Sequence, residues 1–206
     1  NGDVTKHIGN YLEEEDEASS SESSEVVLGR LREHRSPSDR YRLKGEVARG
    51  GMGAILRIWD EDLRRNLAMK VILGKGEAPP SGDTPEVSPR QLSRFLEEAQ
   101  VTGQLDHPGI VPVHELGLDA SGRVYFTMKL VKGRDFAQVI EAVHAGREDW
   151  SLTRAVGVLL KACEGVAFAH SKRVVHRDLK PANLMVGRFG EVYVMDWGVA
   201  RVLDAG

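Results

Sequence analysis

His176-Arg177-Asp178-Leu179-Lys180-Pro181-Ala182-Asn183 is the stretch on which the reading of this chain turns. It sets a carboxylate, an ammonium group and a neutral amide within one short segment. Taken without its surroundings, it would be a basic surface loop. Upstream, residues 152–171 place Val156, Leu159, Leu160, Cys163, Val166 and Ala167 on one apolar helical face, with Ser151 as the N-cap. Cys163 then reads as a core residue of that face rather than a reactive thiol. Downstream, residues 184–186 and 191–195 read as a small hairpin around a turn at 187–190. Thirteen residues past Asn183 stands Asp196-Trp197-Gly198, an Asp-x-Gly that would be an ordinary turn if it did not follow a strand pattern at this distance.

Further out, the N-terminal half alternates in the manner of strands. Residues 41–47, 54–60 and 67–73 read as an antiparallel meander, with Ala48-Arg49-Gly50-Gly51-Met52-Gly53 between the first two. Residues 74–89 carry Gly, Pro, Ser and Asp and read as a loop. Residues 91–105 return to helical spacing through Leu92, Phe95, Leu96, Ala99, Thr102 and Leu105. Two more strands follow at 111–118 and 124–131, then a short helix at 136–145. The expected architecture is α+β: a five-stranded antiparallel lobe with one helix, a mainly helical lobe, and a crevice between them.

Composition excludes more than it selects. The chain of 206 residues is long enough for a domain with a core, and 41% hydrophobic with 29% charged residues is ordinary for a globular protein. A net charge of -3 gives no reason to expect nucleic acid or an anionic membrane as partner. The single cysteine permits no internal disulfide. No apolar run approaches the roughly 20 residues that cross a bilayer, and no signal peptide opens the chain, so a cytoplasmic location is the expectation. The seven histidines include no close pair at metal-ligand spacing, which argues against a zinc site. His176 reads as a packed residue of its loop rather than a base.

The central stretch resembles the catalytic loop of protein kinases, H-R-D-x-K-P-x-N, at six of its eight positions. The resemblance extends from Tyr41 to Arg201 and looks closest to bacterial serine/threonine kinases of eukaryotic type, particularly at Gly50-Gly51-Met52-Gly53. Asp196-Trp197-Gly198 resembles the family's D-F-G, with Trp in place of Phe. Ala48 to Gly53 is similar to the glycine-rich loop, with Ala48 at its first glycine. Leu67-Ala68-Met69-Lys70 resembles V-A-I-K.

The resemblance implies ATP and Mg²⁺ as cofactors and a protein Ser or Thr hydroxyl as acceptor, the Lys180-Pro181 pair pointing to Ser/Thr rather than Tyr. It implies Asp178 as the residue that orients or accepts the hydroxyl proton and Lys180 as a charge partner of the transferred group. Asn183 and Asp196 would be metal ligands. Lys70 would meet the α- and β-phosphates, held by Glu98 on the helix, with Glu97 as the competing candidate about 100° away in helical phase. Ala48, Gly50, Gly51 and Gly53 would cover the phosphates. Ile55, Ala68 and Met185 would sandwich the base with Met128 behind it, the backbone of Lys129 and Val131 would meet its edge, and Asp135 would meet the ribose. Arg177 suggests control through a phosphate on the activation segment.

Residues 1–38 are acidic and Ser-rich, with Glu13, Glu14, Glu15, Asp16 and Glu17 followed by five serines through Ser24. Disorder is expected there, as a solvated leader or as phosphoacceptor serines in acidic context. Residues 39–131 would then form the first lobe, and 132–206 the hinge and part of the second. A start at Asn1 and an end shortly after Asp196 lead to the expectation of a fragment that is by itself inactive and marginally stable. With Ala48 and Trp197 as the departures, the alternative function is a nucleotide-binding regulatory pseudokinase. The sequence leaves the oligomeric state open.

Overall fold

The computed structural model describes residues 25–26, 28–29, 40–50, 53–74, 87–119, 122–147 and 150–203. The five predicted strands form one antiparallel sheet in the order β1-β2-β3-β5-β4, from β1 (Tyr41–Gly50), β2 (Gly53–Asp60), β3 (Arg65–Ile72), β4 (Val113–Leu118) and β5 (Val124–Lys129). One corner is tied by Arg40, whose guanidinium donates through Nε and Nη2 to the two oxygens of the fully buried Asp60 at 3.2 Å each. Gly53 closes the β1–β2 hairpin opposite Gly50. A Cβ on Gly53 would lie 2.2 Å from the Val71 carbonyl oxygen of β3, so the sheet itself demands glycine there, whereas Gly50 faces open space.

Helix α1 (Pro89–Gln104) packs on this sheet. Its start is fixed by Ser88: the hydroxyl accepts from the Gln91 amide, and the Gln91 side chain returns to the Ser88 amide. The buried face is Phe95, Leu96, Glu98, Ala99 and Thr102, with Phe95 tilted against Phe126 of β5 at 5.2 Å. The helical spacing in the sequence therefore identified Phe95, Leu96, Ala99 and Thr102 of this face, and Glu98, which only the family resemblance had singled out, lies among them. Leu28 also packs against this core, within residues 25–26 and 28–29, which are helical where the sequence predicts disorder. The apolar run around Leu28 is what separates it from the polar residues before it. The rest of the 1–38 expectation, and the centre of the 74–89 loop, lie outside the described residues.

The second lobe is built on α2 (Phe136–His144) and α3 (Leu152–Ser171), with a three-stranded sheet β6-β8-β9 (Gly133–Asp135, Leu184–Gly187, Val192–Val194) and a two-stranded ladder of β7 (Val174–Val175) with β10 (Arg201–Val202). The sequence predicted β8 and β9 but not β6, β7 or β10, whose two or three residues are too few to show alternation. The expected extent of α3 and its Ser151 cap agree with the structure.

Its expected core face does not. Val156, Leu159, Leu160 and Cys163 are exposed, and the buried residues are Ala155, Val158, Ala162, Gly165 and Ala169. The small residues win because the helix approaches backbone. A Cβ on Gly165 would sit 3.1 Å from the Gly109 carbonyl oxygen, beside Val194 of β9. Cys163 is accordingly a surface residue. Among the described residues, no helix is long and apolar enough to cross a membrane.

The choice of face is testable by thermal or urea unfolding. Val158→Ala removes two buried methyl groups and is expected to cost about 2 kcal/mol. Leu160→Ala, on the face the sequence favoured, is expected to stay within about 0.5 kcal/mol of the parent. The reverse order would restore the original face.

Candidate active site

Lys70 lies on β3 and Glu98 on the buried face of α1, and their side chains meet at 2.5 Å between Nζ and Oε1. The two side chains are 12% and 6% exposed, so the pair is shielded from water. Burial pushes the Glu98 carboxyl up, and the Lys70 ammonium offsets part of that rise. Glu97 is exposed, which settles the choice between the two glutamates geometrically. Lys70 also stands 3.9 Å from Asp196 Oδ1, so three charged groups from β3, α1 and the segment after β9 share one place.

The second group is compact in sequence and in space. Asp178 Oδ2 accepts from Lys180 Nζ at 2.6 Å and from Asn183 Nδ2 at 3.3 Å, and the Asp178 carbonyl accepts from Asn183 Nδ2 at 2.9 Å. Lys180 is the main cause that holds the Asp178 carboxyl below its ordinary range, and Asp178 in turn raises Lys180. Pro181 opens a single 3-10 turn, Pro181–Asn183, that brings Asn183 back to Asp178. The two groups are fastened together by the Met195 amide, which donates to the Asn183 carbonyl at 2.8 Å.

Two residues here hold left-handed backbone, Arg177 at φ 67° and Asp196 at φ 61°. Such conformations are uncommon for side chains with a Cβ and persist where neighbours over-determine them. His176, 1% exposed, supplies part of that restraint. Its Nδ1 accepts from the Asp178 amide at 3.3 Å, and its Nε2 faces the Met195 carbonyl at 2.9 Å. These partners require the proton on Nε2 and leave the ring no role as a base. The Arg177 guanidinium donates to the carbonyls of Val199 at 2.6 Å and Ala200 at 3.4 Å.

The remaining predicted residues fall along the sheet and the strand below it. Ala48 is opposite Ile55, Ile55 is opposite Lys70, and Ala68 is opposite Met128. Met128 is buried with Ala68 and Phe126, and Val131 packs at the margin of that cluster. Met185 pairs with Asp135 on one side and Tyr193 on the other. Gly50 and Gly53 border the hairpin turn, and Gly51 lies outside the described residues.

Two of these residues hold contacts that the reading of the sequence missed. Asp135 caps α2, with Oδ1 accepting from the Gln138 amide at 2.8 Å. The Lys129 amide donates to the Pro112 carbonyl at 3.1 Å, while its ammonium donates to the Tyr193 hydroxyl and lies over that ring, 4.6 Å from the centroid. An Asp just before a helix is a sequence signal for a cap; the Lys129–Tyr193 contact spans 64 residues and has none.

Oxygen chemistry at the site suits a hard cation. Asp196 offers a half-exposed carboxylate, and Asn183 commits its Nδ2 to Asp178, which turns its amide oxygen free for a ligand. One carboxylate and one neutral oxygen leave further positions for phosphate oxygens and water, the usual set for Mg²⁺. A cavity of about 710 Å³ bounded by Lys132, Arg134, Trp150, Arg154 and Arg188 lies apart from these residues.

A two-lobed α+β fold with a lysine–glutamate pair in one lobe and an Asp-Lys-Asn loop in the other defines a class, and comparison with known proteins agrees. The protein kinase domain model matches residues 41–206. The chain belongs to the protein kinase family. It is 35% identical over 175 residues to the serine/threonine-protein kinase PknD of Protochlamydia amoebophila (strain UWE25), covering 81% of this chain and 17% of that protein. It is also 35% identical over 172 residues to the serine/threonine-protein kinase PknA of Mycobacterium tuberculosis (strain ATCC 25618 / H37Rv), covering 82% of this chain and 37% of the relative. The chain thus spans between about a sixth and two fifths of the length of these relatives.

Lys70→Met strands Glu98 in its buried position and is expected to cost about 3–5 kcal/mol at neutral pH. A carboxyl whose folded pKa is raised favours folding as pH falls. The deficit should therefore shrink as pH drops through the raised value toward the ordinary 4.5. Urea midpoints of variant and parent across pH 4–8 measure this, and a gap independent of pH would contradict it.

Proposed function

We propose that this chain carries the ATP- and Mg²⁺-dependent phosphoryl-transfer machinery of a serine/threonine protein kinase, acting on a Ser or Thr hydroxyl of a protein substrate. The observation that carries the reading is the convergence at Lys70. Its ammonium is 2.5 Å from Glu98 and 3.9 Å from Asp196, and the Asp178–Lys180–Asn183 group is tied to the segment bearing Asp196. The names of the bacterial relatives and the Lys180-Pro181 pair support Ser/Thr as acceptor.

Phosphoryl transfer of this type needs positioning and charge stabilisation more than covalent chemistry. Asp178, whose carboxyl Lys180 holds below its ordinary range, orients the acceptor hydroxyl and takes its proton. Lys180 offsets charge on the transferred group as its bond to the leaving oxygen lengthens. Lys70, held by Glu98, neutralises the α- and β-phosphates. Asn183 Oδ1 and Asp196 would hold Mg²⁺, which when bound would supply positive charge to offset that of the phosphates.

The backbone of Ala48, Gly50 and Gly53 would cover the phosphates, with Gly51 added by the resemblance alone. Ile55, Ala68 and Met185 enclose the base, with Met128 behind it. The Lys129 carbonyl, whose amide is spent on Pro112, and the backbone of Val131 meet the edge of the base. Asp135 retains Oδ2 for the ribose while Oδ1 caps α2. In this reading residues 39–131 form the lobe that holds Lys70, and the hinge and second lobe begin at 132. A cytoplasmic location follows from the use of ATP.

Asp178→Asn in the full-length protein is expected to lower phosphate incorporation from radiolabelled ATP by about 10²–10⁴-fold. Nucleotide affinity should stay within about twofold, since the residue faces the acceptor rather than the nucleotide. Activity equal to the parent would overturn the role of Asp178. Nucleotide binding by the parent without any incorporation would favour the regulatory pseudokinase instead.

A further inference from the structure

Four cationic side chains from three parts of the second lobe line one cavity. Lys132 and Arg134 flank Gly133 at the start of β6, Arg154 stands in the first turn of α3, and Arg188 lies in the β8–β9 turn. The floor between them is bare backbone: a Cβ on Gly133 would lie 1.9 Å from the Val186 carbonyl oxygen. Trp150 forms an aromatic wall, with the Arg154 guanidinium 4.1 Å from the centre of its ring. Helix α3 begins here, capped by Ser151 and without an acidic residue in its first turn, so the positive end of its dipole adds to the same field.

Lys132 and Arg188 are exposed, and neither holds an ion pair among the described residues. A carboxylate at the rim, Glu191, lies against Gly187 and is engaged by the Phe189 amide at 2.9 Å. Cations outnumber it along the walls. Such a cavity suits a ligand that presents several carboxylates from one stretch of chain.

The sequence contains such a stretch. Residues 13–25 hold seven carboxylates, Glu13, Glu14, Glu15, Asp16, Glu17, Glu22 and Glu25, and no lysine or arginine. Just after it, Leu28 packs against the core of the first lobe. Twelve residues of extended chain span about 40 Å, which is the scale of a domain of this size. The tether is therefore long enough for the acidic residues to reach the second lobe.

We propose that the cavity binds this chain's own acidic segment, residues 13–25, within the same molecule. The N-terminal stretch is then a strap, pinned to the first lobe at Leu28 and to the second at Lys132 and Arg188.

Zero-length carbodiimide cross-linking of the full-length protein tests this, because it joins a carboxylate to an amine only where the two touch. Mass spectrometry reads the links, and an equal mixture of ¹⁵N-labelled and unlabelled protein separates links within a molecule from links between molecules. Residues 13–25 are expected to join Lys132 within one molecule. Lys172, exposed at the other end of α3 and about 30 Å away along its axis, is expected to stay unlinked. Arg188→Glu removes one charged contact and places a carboxylate beside the segment, and should lower the Lys132 link by about tenfold or more. Salt raised from about 0.1 M to 1 M shortens the screening length from about 10 Å to 3 Å and should lower it too.

Equal linking of 13–25 to Lys132 and Lys172 overturns the strap, and this comparison needs no variant. Links to Lys132 that come from Glu148 or Asp149, the residues before Trp150, overturn it by showing a cavity neutralised from its own rim. Links found only between molecules assign the cavity to a second copy and overturn it as well. So does a cavity that leaves 13–25 unlinked while an added phosphoserine peptide protects Lys132 from acetylation, since the occupant is then a partner.

Discussion

A charge buried in this protein must be answered by an opposite charge, and the rest of the site depends on how that is done at Glu98. The carboxylate sits on the apolar face of α1 beside Leu96 and Ala99, where an ion without a partner would be very costly. Lys70 is the partner, and because it comes from the sheet, the pair fixes where the helix may lie. A shift of α1 by one residue would carry Glu98 about 100° around the helix and part it from the Lys70 ammonium. Helix position and lysine position are thus one constraint, and Lys70 is held where Asp196 can approach it.

The other half of the site is held by backbone rather than by ion pairs. His176 reaches both the Asp178 amide and the Met195 carbonyl, and Asn183 reaches the Asp178 carbonyl with its side chain and the Met195 amide with its own carbonyl. Two of these four bonds, both to Met195, join segments separated by about a dozen residues, and the other two fold the first segment on itself, with left-handed residues, Arg177 and Asp196, at the corners. Single hydrogen bonds contribute little net stability. Their value here is geometric, because they hold backbone that would otherwise relax.

The sequence showed the sheet because its strands are short runs bounded by glycines and charged turns, and α1 because it has one buried face at a period of 3.6. It also brought Lys70, Glu98, Asp178, Asn183 and Asp196 forward as a set, since short motifs of charged residues survive without any knowledge of distance. It misread α3. That helix has apolar residues on two sides, and the larger ones, Val156, Leu159 and Leu160, looked like core. Close approach to the Gly109 backbone selects Ala155, Ala162, Gly165 and Ala169 instead, and small residues leave little mark on a hydrophobic pattern. The contact of Lys129 with Tyr193, 64 residues apart, depends on how the strands stack, and that of Trp197 Nε1 with the Val194 carbonyl three residues back depends on the local backbone conformation; neither was legible beforehand.

The central claim is that Lys70 and Asp196 act on one magnesium nucleotide rather than as separate surface charges. Calorimetric titration of Mg²⁺-ADP into the parent, Lys70→Met, Asp196→Asn and the double variant tests it most directly. Groups that share a ligand couple, so the double variant should lose at least about 1 kcal/mol less than the two single losses added together. Losses that add to within about 0.3–0.5 kcal/mol would mean that the two side chains do not meet at a common ligand.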